Sequence, residues 1–240
     1  MLIVLCMVTR QAAAQNGTIP TILYVPESEV VADGIIEPDE YGFSYLDQST
    51  GVTVHWEHDG TILRVGLESP GVGWVSIGFG PRNVGMDGAN MILAYMGEQG
   101  SSVIVDEVGV GHNHMPDTER GGTDDIIDGV VGQLGNVTTV EFSIPLDSGD
   151  ALDQRMQGNG TYGFFLGYHS TARDRVAYHT ARSETVDVFV ESLPGVPPSE
   201  PGFPWAAMLI VVSGLVLGVS VIRVLRRPRV IRFKPRNYSV

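Results

Sequence analysis

Between Gly51 and Glu191 apolar side chains return at every second position, and glycine-rich turns cut the pattern repeatedly. A helix needs an apolar stripe at intervals of three and four. No stretch of a dozen residues here keeps one, so the segment is predicted to form many short strands. Val52, Val54 and Trp56 alternate with polar neighbours, and Leu63, Val65 and Leu67 follow the Asp59-Gly60 turn. Trp74 to Phe79 is more continuously apolar. Met91 to Tyr95, Val103 to Val105, Val140 to Ile144, Tyr162 to Tyr168 and Val186 to Val190 complete a set of roughly eight strands, and an antiparallel β-sandwich is expected. The glycine-rich, acidic stretch from Gly109 to Gly135 reads as a long excursion at one end of the sandwich. Residues 16–44, with Pro20, Pro26 and Pro38, read as an arm, either an edge strand or a loose segment.

The two ends read differently. Leu2 to Val8 is a short apolar run followed by Arg10 and by Ala12, Ala13 and Ala14, so residues 1–15 resemble a signal peptide without a basic start. Phe203 to Leu225 is almost wholly apolar and, at about 1.5 Å per residue, long enough to cross a hydrocarbon core of about 30 Å. Trp205 suits the outer interface, and Arg223, Arg226, Arg227 and Arg229 meet the positive-inside rule. The expectation is a single-pass membrane protein with its β domain (45–191) outside, a Pro-rich spacer (192–202), the transmembrane helix (203–225) and a basic cytoplasmic tail (226–240). Sequons at Asn16, Asn136 and Asn159 fit an exported glycoprotein.

Net charge is -13, and seven of the fifteen Lys and Arg lie between Arg223 and Arg236. Eight basic residues thus face all 28 acidic ones in the rest of the chain, a surface that repels nucleic acid and attracts cations or basic partners. The only cysteine, Cys6, falls in the signal-like segment. The domain therefore holds no disulfide, thiolate metal site or covalently attached haem. No nucleophile elbow, His-Glu-x-x-His or phosphate loop is present, so no catalytic residue is assigned and an electron carrier or binding module is favoured over an autonomous enzyme.

Haem iron without thiolates can be held by a Met sulfur opposite a His nitrogen, a pair suited to electron transfer because it leaves no axial position open. Met86 sits in Gly85-Met-Asp-Gly-Ala-Asn90, directly after an apolar strand. His169 and His179 flank the turn after the strand Gly163 to Tyr168. Two other groups deserve weighing as metal ligands. His112 and His114 alternate and would suit Cu or Zn, and Asp117, Glu119, Asp124, Asp125 and Asp128 would suit Ca²⁺, although their spacing is not that of an EF-hand. His55 and His58, around Trp56, read as surface or packing residues.

Trp74-Val-Ser-Ile-Gly-Phe-Gly80, Met86-Asp-Gly-Ala-Asn90, Val105-Asp106, Pro116-Asp117, Gly121-Gly-Thr-Asp124, Phe142-Ser-Ile-Pro-Leu146 with Gly149-Asp150 and Asp153, and His179-Thr-Ala-Arg182 follow one another in an order that resembles DOMON domains. That family includes the b-type cytochrome domain of cellobiose dehydrogenase. The resemblance covers residues 45–191 and implies an immunoglobulin-like β-sandwich binding either non-covalent haem b or a sugar-like ligand. Carried over by position, it implies Met86 and His179 as the axial iron ligands. Departures are Ser183 where many relatives have Gly, Asn90 where many have Asp, and a His pair split into His169 and His179, which leaves those two open. Two functions follow: a membrane-anchored haem b electron-transfer domain exchanging electrons with an exported or membrane redox protein, or a haem-free module binding a carbohydrate-like ligand.

Overall fold

A computed structural model of the protein describes residues 19–81 and 85–192. The signal-like segment, the sequon at Asn16, the spacer beyond residue 192, the apolar stretch 203–225 and the basic tail lie outside the described residues. Among the described residues no helix is long and apolar enough to cross a membrane.

The fold is all-β. Its strands in order are β1 (Thr21–Tyr24), β2 (Phe43–Leu46), β3 (Thr53–His58), β4 (Ile62–Pro70), β5 (Val75–Phe79), β6 (Asn90–Met96), β7 (Ser102–Val110), β8 (Asn113–Pro116), β9 (Asp128–Leu134), β10 (Val137–Pro145), β11 (Thr161–Tyr168), β12 (Ala181–Arg182) and β13 (Val186–Val190). They form one curled sheet in the order β8-β7-β6-β5-β11-β13-β1-β3-β4-β10-β9, with β12 beside β11 and β2 beside β3. Every pairing is antiparallel except the two made by β1, which runs parallel to both β13 and β3 and joins the two halves.

Two expectations change. Within residues 19–44, β1 supplies not an edge but the central seam: Ile22 is fully buried, and Pro20 is harmless because it contributes only its carbonyl, which accepts the Phe189 N–H. The excursion from Gly109 to Gly135 is not one loop, since it contains β8 and β9. In β9, glycine is required at Gly132, where a Cβ would sit 2.0 Å from the Gly34 carbonyl.

The halves pack face to face. Trp56 of β3 meets Phe164 of β11 edge-on with ring centroids 5.1 Å apart, inside a core that includes Val54, Leu63, Val65, Ile77, Phe79, Ile92, Phe142 and Leu166. The outer face of β4 and β10 is covered as well. Residues 33–42 cross it, with Ile36 and Tyr41 packed on Gly66. This strap has no strand partner to satisfy its backbone, so the fully buried Glu141 does so: it accepts from Gly34 N–H (2.7 Å), Asp33 N–H (3.1 Å) and the Tyr41 hydroxyl (2.9 Å). Glu141→Ala strands those donors and should cost at least about 2 kcal/mol in denaturant unfolding, whereas an unchanged midpoint would show that the strap is not anchored there.

Candidate functional site

The half built from β11, β5, β6 and β7 is also buried on both faces. Register places Phe165, Gly78, Met91, Glu107 and Pro116 in one row across its outer surface, next to a row of Gly167, Ser76, Leu93 and Val105. Met91 and Leu93 are almost fully buried there. The surface is shallow, because a Cβ on Gly78 would fall 2.3 Å from the Phe165 ring, and Gly167 lies under the Trp74 indole. Trp74 is 5% exposed and its indole N–H has no partner, an orphaned donor at the margin of an apolar face.

Two irregular segments close over this surface. One carries Met86. Its amide bonds to the Gly111 carbonyl, and its own carbonyl and Cβ occupy the space a side chain at Gly109 would need, so Met86 rests on the Gly109 end of β7. The other is the loop 169–180. Its Ala172 carbonyl accepts the backbone N–H of Trp74, and Arg175 reaches across the face to Glu107 (3.0 Å). Glu107 is fully buried and is also bonded to the His114 ring. In strand register Met86 stands at the Phe79 end of the sheet and both His169 and His179 at the Tyr168 end, so the structure sets the thioether-bearing residue and the two histidines at opposite ends of these strands.

The two histidines differ in chemistry. His169 Nδ1 accepts from the Thr171 and Ala172 amides (3.0 and 2.8 Å), which puts its proton on Nε2. A ligating imidazole needs the reverse arrangement, a free Nε2 lone pair with the Nδ1 proton donated away. His179 stacks against Tyr178, with centroids 4.1 Å apart. Burial, helped by the charge of Arg182 and opposed by a hydrogen bond to its own backbone, holds its pKa below the ordinary histidine value and so keeps the ring neutral.

The other sequence candidates separate. His112 is exposed beside Gly85, and His114 is engaged by Glu107, so they do not form a metal pair. His55 bonds Glu68, and the buried His58 donates to the Glu191 carbonyl while accepting from Gly60, both packing roles. Of the acidic residues, Asp125 converges with Asp106 and Asp153. Burial, with neighbouring aspartates adding, pushes Asp106 up to about 8, Asp153 to about 7 and Asp117 to about 6. Sequence reading missed Glu107 and Arg175. The only signal was a charged residue interrupting the apolar alternation of β7, and nothing marked its partner 68 positions away.

The DOMON domain model matches residues 48–169. This chain is a DOMON-family protein. The match includes Met86 and His169 and ends before His179. A search of curated proteins finds no match. Among solved structures, a family 9 carbohydrate-binding module from Caldicellulosiruptor kristjanssonii in complex with glucose is similar at 11% identity and a TM-score of 0.49, over 75% of this chain and all of that one. The cytochrome b domain of pyranose dehydrogenase from Coprinopsis cinerea is similar at 12% identity and 0.43, covering 60% and 78%. The cytochrome domain of Myriococcum thermophilum cellobiose dehydrogenase is similar at 12% and 0.38, covering 63% and 90%. At these scores the neighbours do not choose a ligand for the DOMON domain.

The Glu107 bridge holds the roof of the outer face. Arg175→Ala should raise the rate of proteolytic cleavage within 170–180 by roughly tenfold, while cleavage elsewhere stays slow. Equal rates in both proteins would mean the loop is held by other contacts.

Proposed function

We propose that this DOMON domain is a haem b electron-transfer module, in which the Met86 sulfur and the His179 imidazole would hold the iron. The observation that supports it most is the setting: the covered outer face of β11, β5, β6 and β7 is flanked at one end by the segment carrying Met86 and at the other by the loop carrying His179, whose pKa burial holds below the ordinary histidine value. His169 is set aside because its Nδ1 lone pair is already used by two backbone donors. The residues fit the group in kind. Met91 and Leu93, which are covered in this structure, and the half-buried Phe165 are apolar enough to pack on a flat ring, and the unpartnered Trp74 indole N–H offers a donor to a polar edge. When bound, haem supplies one-electron oxidation and reduction. Met86 and His179 would saturate the iron, excluding substrate from it, and the loop 169–180 would keep water off the apolar edge.

The stretch 203–225 would hold the domain at the outer surface of a membrane, with the basic tail inside. It contains no His, so electrons would pass to an exported or membrane redox protein rather than through this helix. The acidic surface favours a basic partner and fast encounter. Asn136 and Asn159 are exposed, as glycosylation of an exported chain requires.

A second reading, a haem-free module for a carbohydrate-like ligand, draws on a different place. A cleft of about 330 Å³ is lined by His58, Asp147, Arg155, Gln157 and Glu191, groups able to bond hydroxyls. Its lining includes no Trp, Tyr or Phe ring on which a sugar could stack, which weakens this reading.

The full-length chain reconstituted with haemin is expected to give sharp low-spin bands on reduction. Met86→Ala and His179→Ala should each abolish them, and His169→Ala should leave them intact. A wild-type spectrum like that of free haemin overturns the proposal, and loss of the bands only in His169→Ala moves the ligand to that residue.

A further inference from the structure

Asp106, on β7, faces the interior rather than the outer surface, since it pairs with Ile92 and stands beside the core. Around it gather residues from two other segments, the turn after β8 and the loop after β10. One oxygen each from Asp106, Asp125 and Asp153 lies within 4.8 Å of the others. That is the spacing set by one cation, because two Ca²⁺–O bonds of about 2.3–2.6 Å span about 5 Å.

The hydrogen bonds hold these carboxylates by one side only. Asp106 Oδ2 accepts the Asp125 amide (3.0 Å), while its Oδ1 is buried without a partner. Asp153 Oδ2 accepts the Ser148 hydroxyl (2.6 Å), while its Oδ1 is also buried without a partner. Asp125 Oδ2 accepts the Thr123 hydroxyl (2.8 Å). Each side chain is thus fixed in direction with an oxygen left over.

A second observation comes from Asp117, which lies outside that trio. It is 1% exposed and neither of its carboxylate oxygens has a partner. It stands close enough to repel Asp106 and Asp153, although its oxygens lie outside the 4.8 Å group. Gly122 is small where a Cβ would press within 2.8 Å of both Asp117 Oδ2 and Asp150 Oδ2. Asp150 itself is spent on Thr123 and Leu152, holding the loop in place. Among the described residues none of these five aspartates has an Arg or Lys ion pair. A buried group of carboxylates with free oxygens and no basic side chain has the form of a hard-cation site.

We propose that Asp106, Asp125 and Asp153 bind one Ca²⁺, with the buried, unpartnered Asp117 in the same acidic group. The donors are all oxygen, which disfavours Zn and Cu, and they come from irregular loops with room for waters and carbonyls, which suits Ca²⁺ better than the strict octahedron of Mg²⁺. The ion would tie β7 to the loops 117–125 and 147–153. Because Asp106 adjoins Glu107, it would stiffen the strand that carries the roof anchor from the opposite side. This site does not depend on haem.

The test is calorimetric titration of CaCl₂ into full-length chain stripped with EDTA, together with melting curves. One Ca²⁺ per chain should bind, at least tenfold more tightly than Mg²⁺, and millimolar Ca²⁺ should raise the melting temperature by about 5 °C or more. Asp106→Asn and Asp153→Asn keep the shape and relieve repulsion, so both should fold without metal and lose the Ca²⁺ shift. No binding heat and no shift in the wild type overturns the site, and so does a full shift retained in both variants.

Discussion

A β-sheet buried on both faces needs covers, and in this protein part of each outer cover is chain without strand partners. Such chain brings backbone amides and charged side chains into a dry setting where each needs a partner. Buried carboxylates meet that need. Glu141 gathers the strap 33–42, Glu107 holds Arg175 and His114 over the opposite face, and Asp106 receives the Asp125 amide at the sheet edge. The roofs exist because these acids sit at fixed strand positions, and the roofs in turn make the enclosed surfaces usable.

The proposed function rests on what differs between the covers. Over β4 and β10 the strap packs Ile36 and Tyr41 directly on Gly66, leaving a sealed layer. Over β11, β5, β6 and β7 the cover is two separate loops on a shallow apolar floor, with an indole N–H unsatisfied at its margin. One loop brings sulfur and the other imidazole. The outermost residues of the second loop, Val176 and Tyr178, are more than four-fifths exposed, so the same loop that would ligate iron also presents an apolar tip to solvent. In an electron-transfer module that tip is where a partner would come nearest to the iron.

The strands that pack on both sides were legible, since alternation survives in β3, β4, β10 and β11. The missed ones lack that signal for physical reasons. β1 is four residues long between prolines, and its burial comes from a parallel seam that no local pattern encodes. β8 is Asn-His-Met-Pro, polar because it lies at the sheet edge, and β9 needs glycines where Gly34 and Ile104 press on it. For the candidate site, the glycine-flanked setting of Met86 is what singles it out in the sequence. The distinction between His169 and His179 was not legible there, because it lies in which ring nitrogen meets the Thr171 and Ala172 amides. The aspartate cluster was half legible, as an acidic stretch, but Asp106 and Asp153 join it only through the fold.

The central claim is that the surface roofed by the Met86 and His179 loops is where haem binds. Hydrogen exchange of the full-length chain, with and without one equivalent of haemin, tests it by location. The account predicts that amides of 85–91 and 169–182 become slower to exchange while those lining the His58–Glu191 cleft do not change. Protection confined to that cleft, or no protection anywhere, would contradict it.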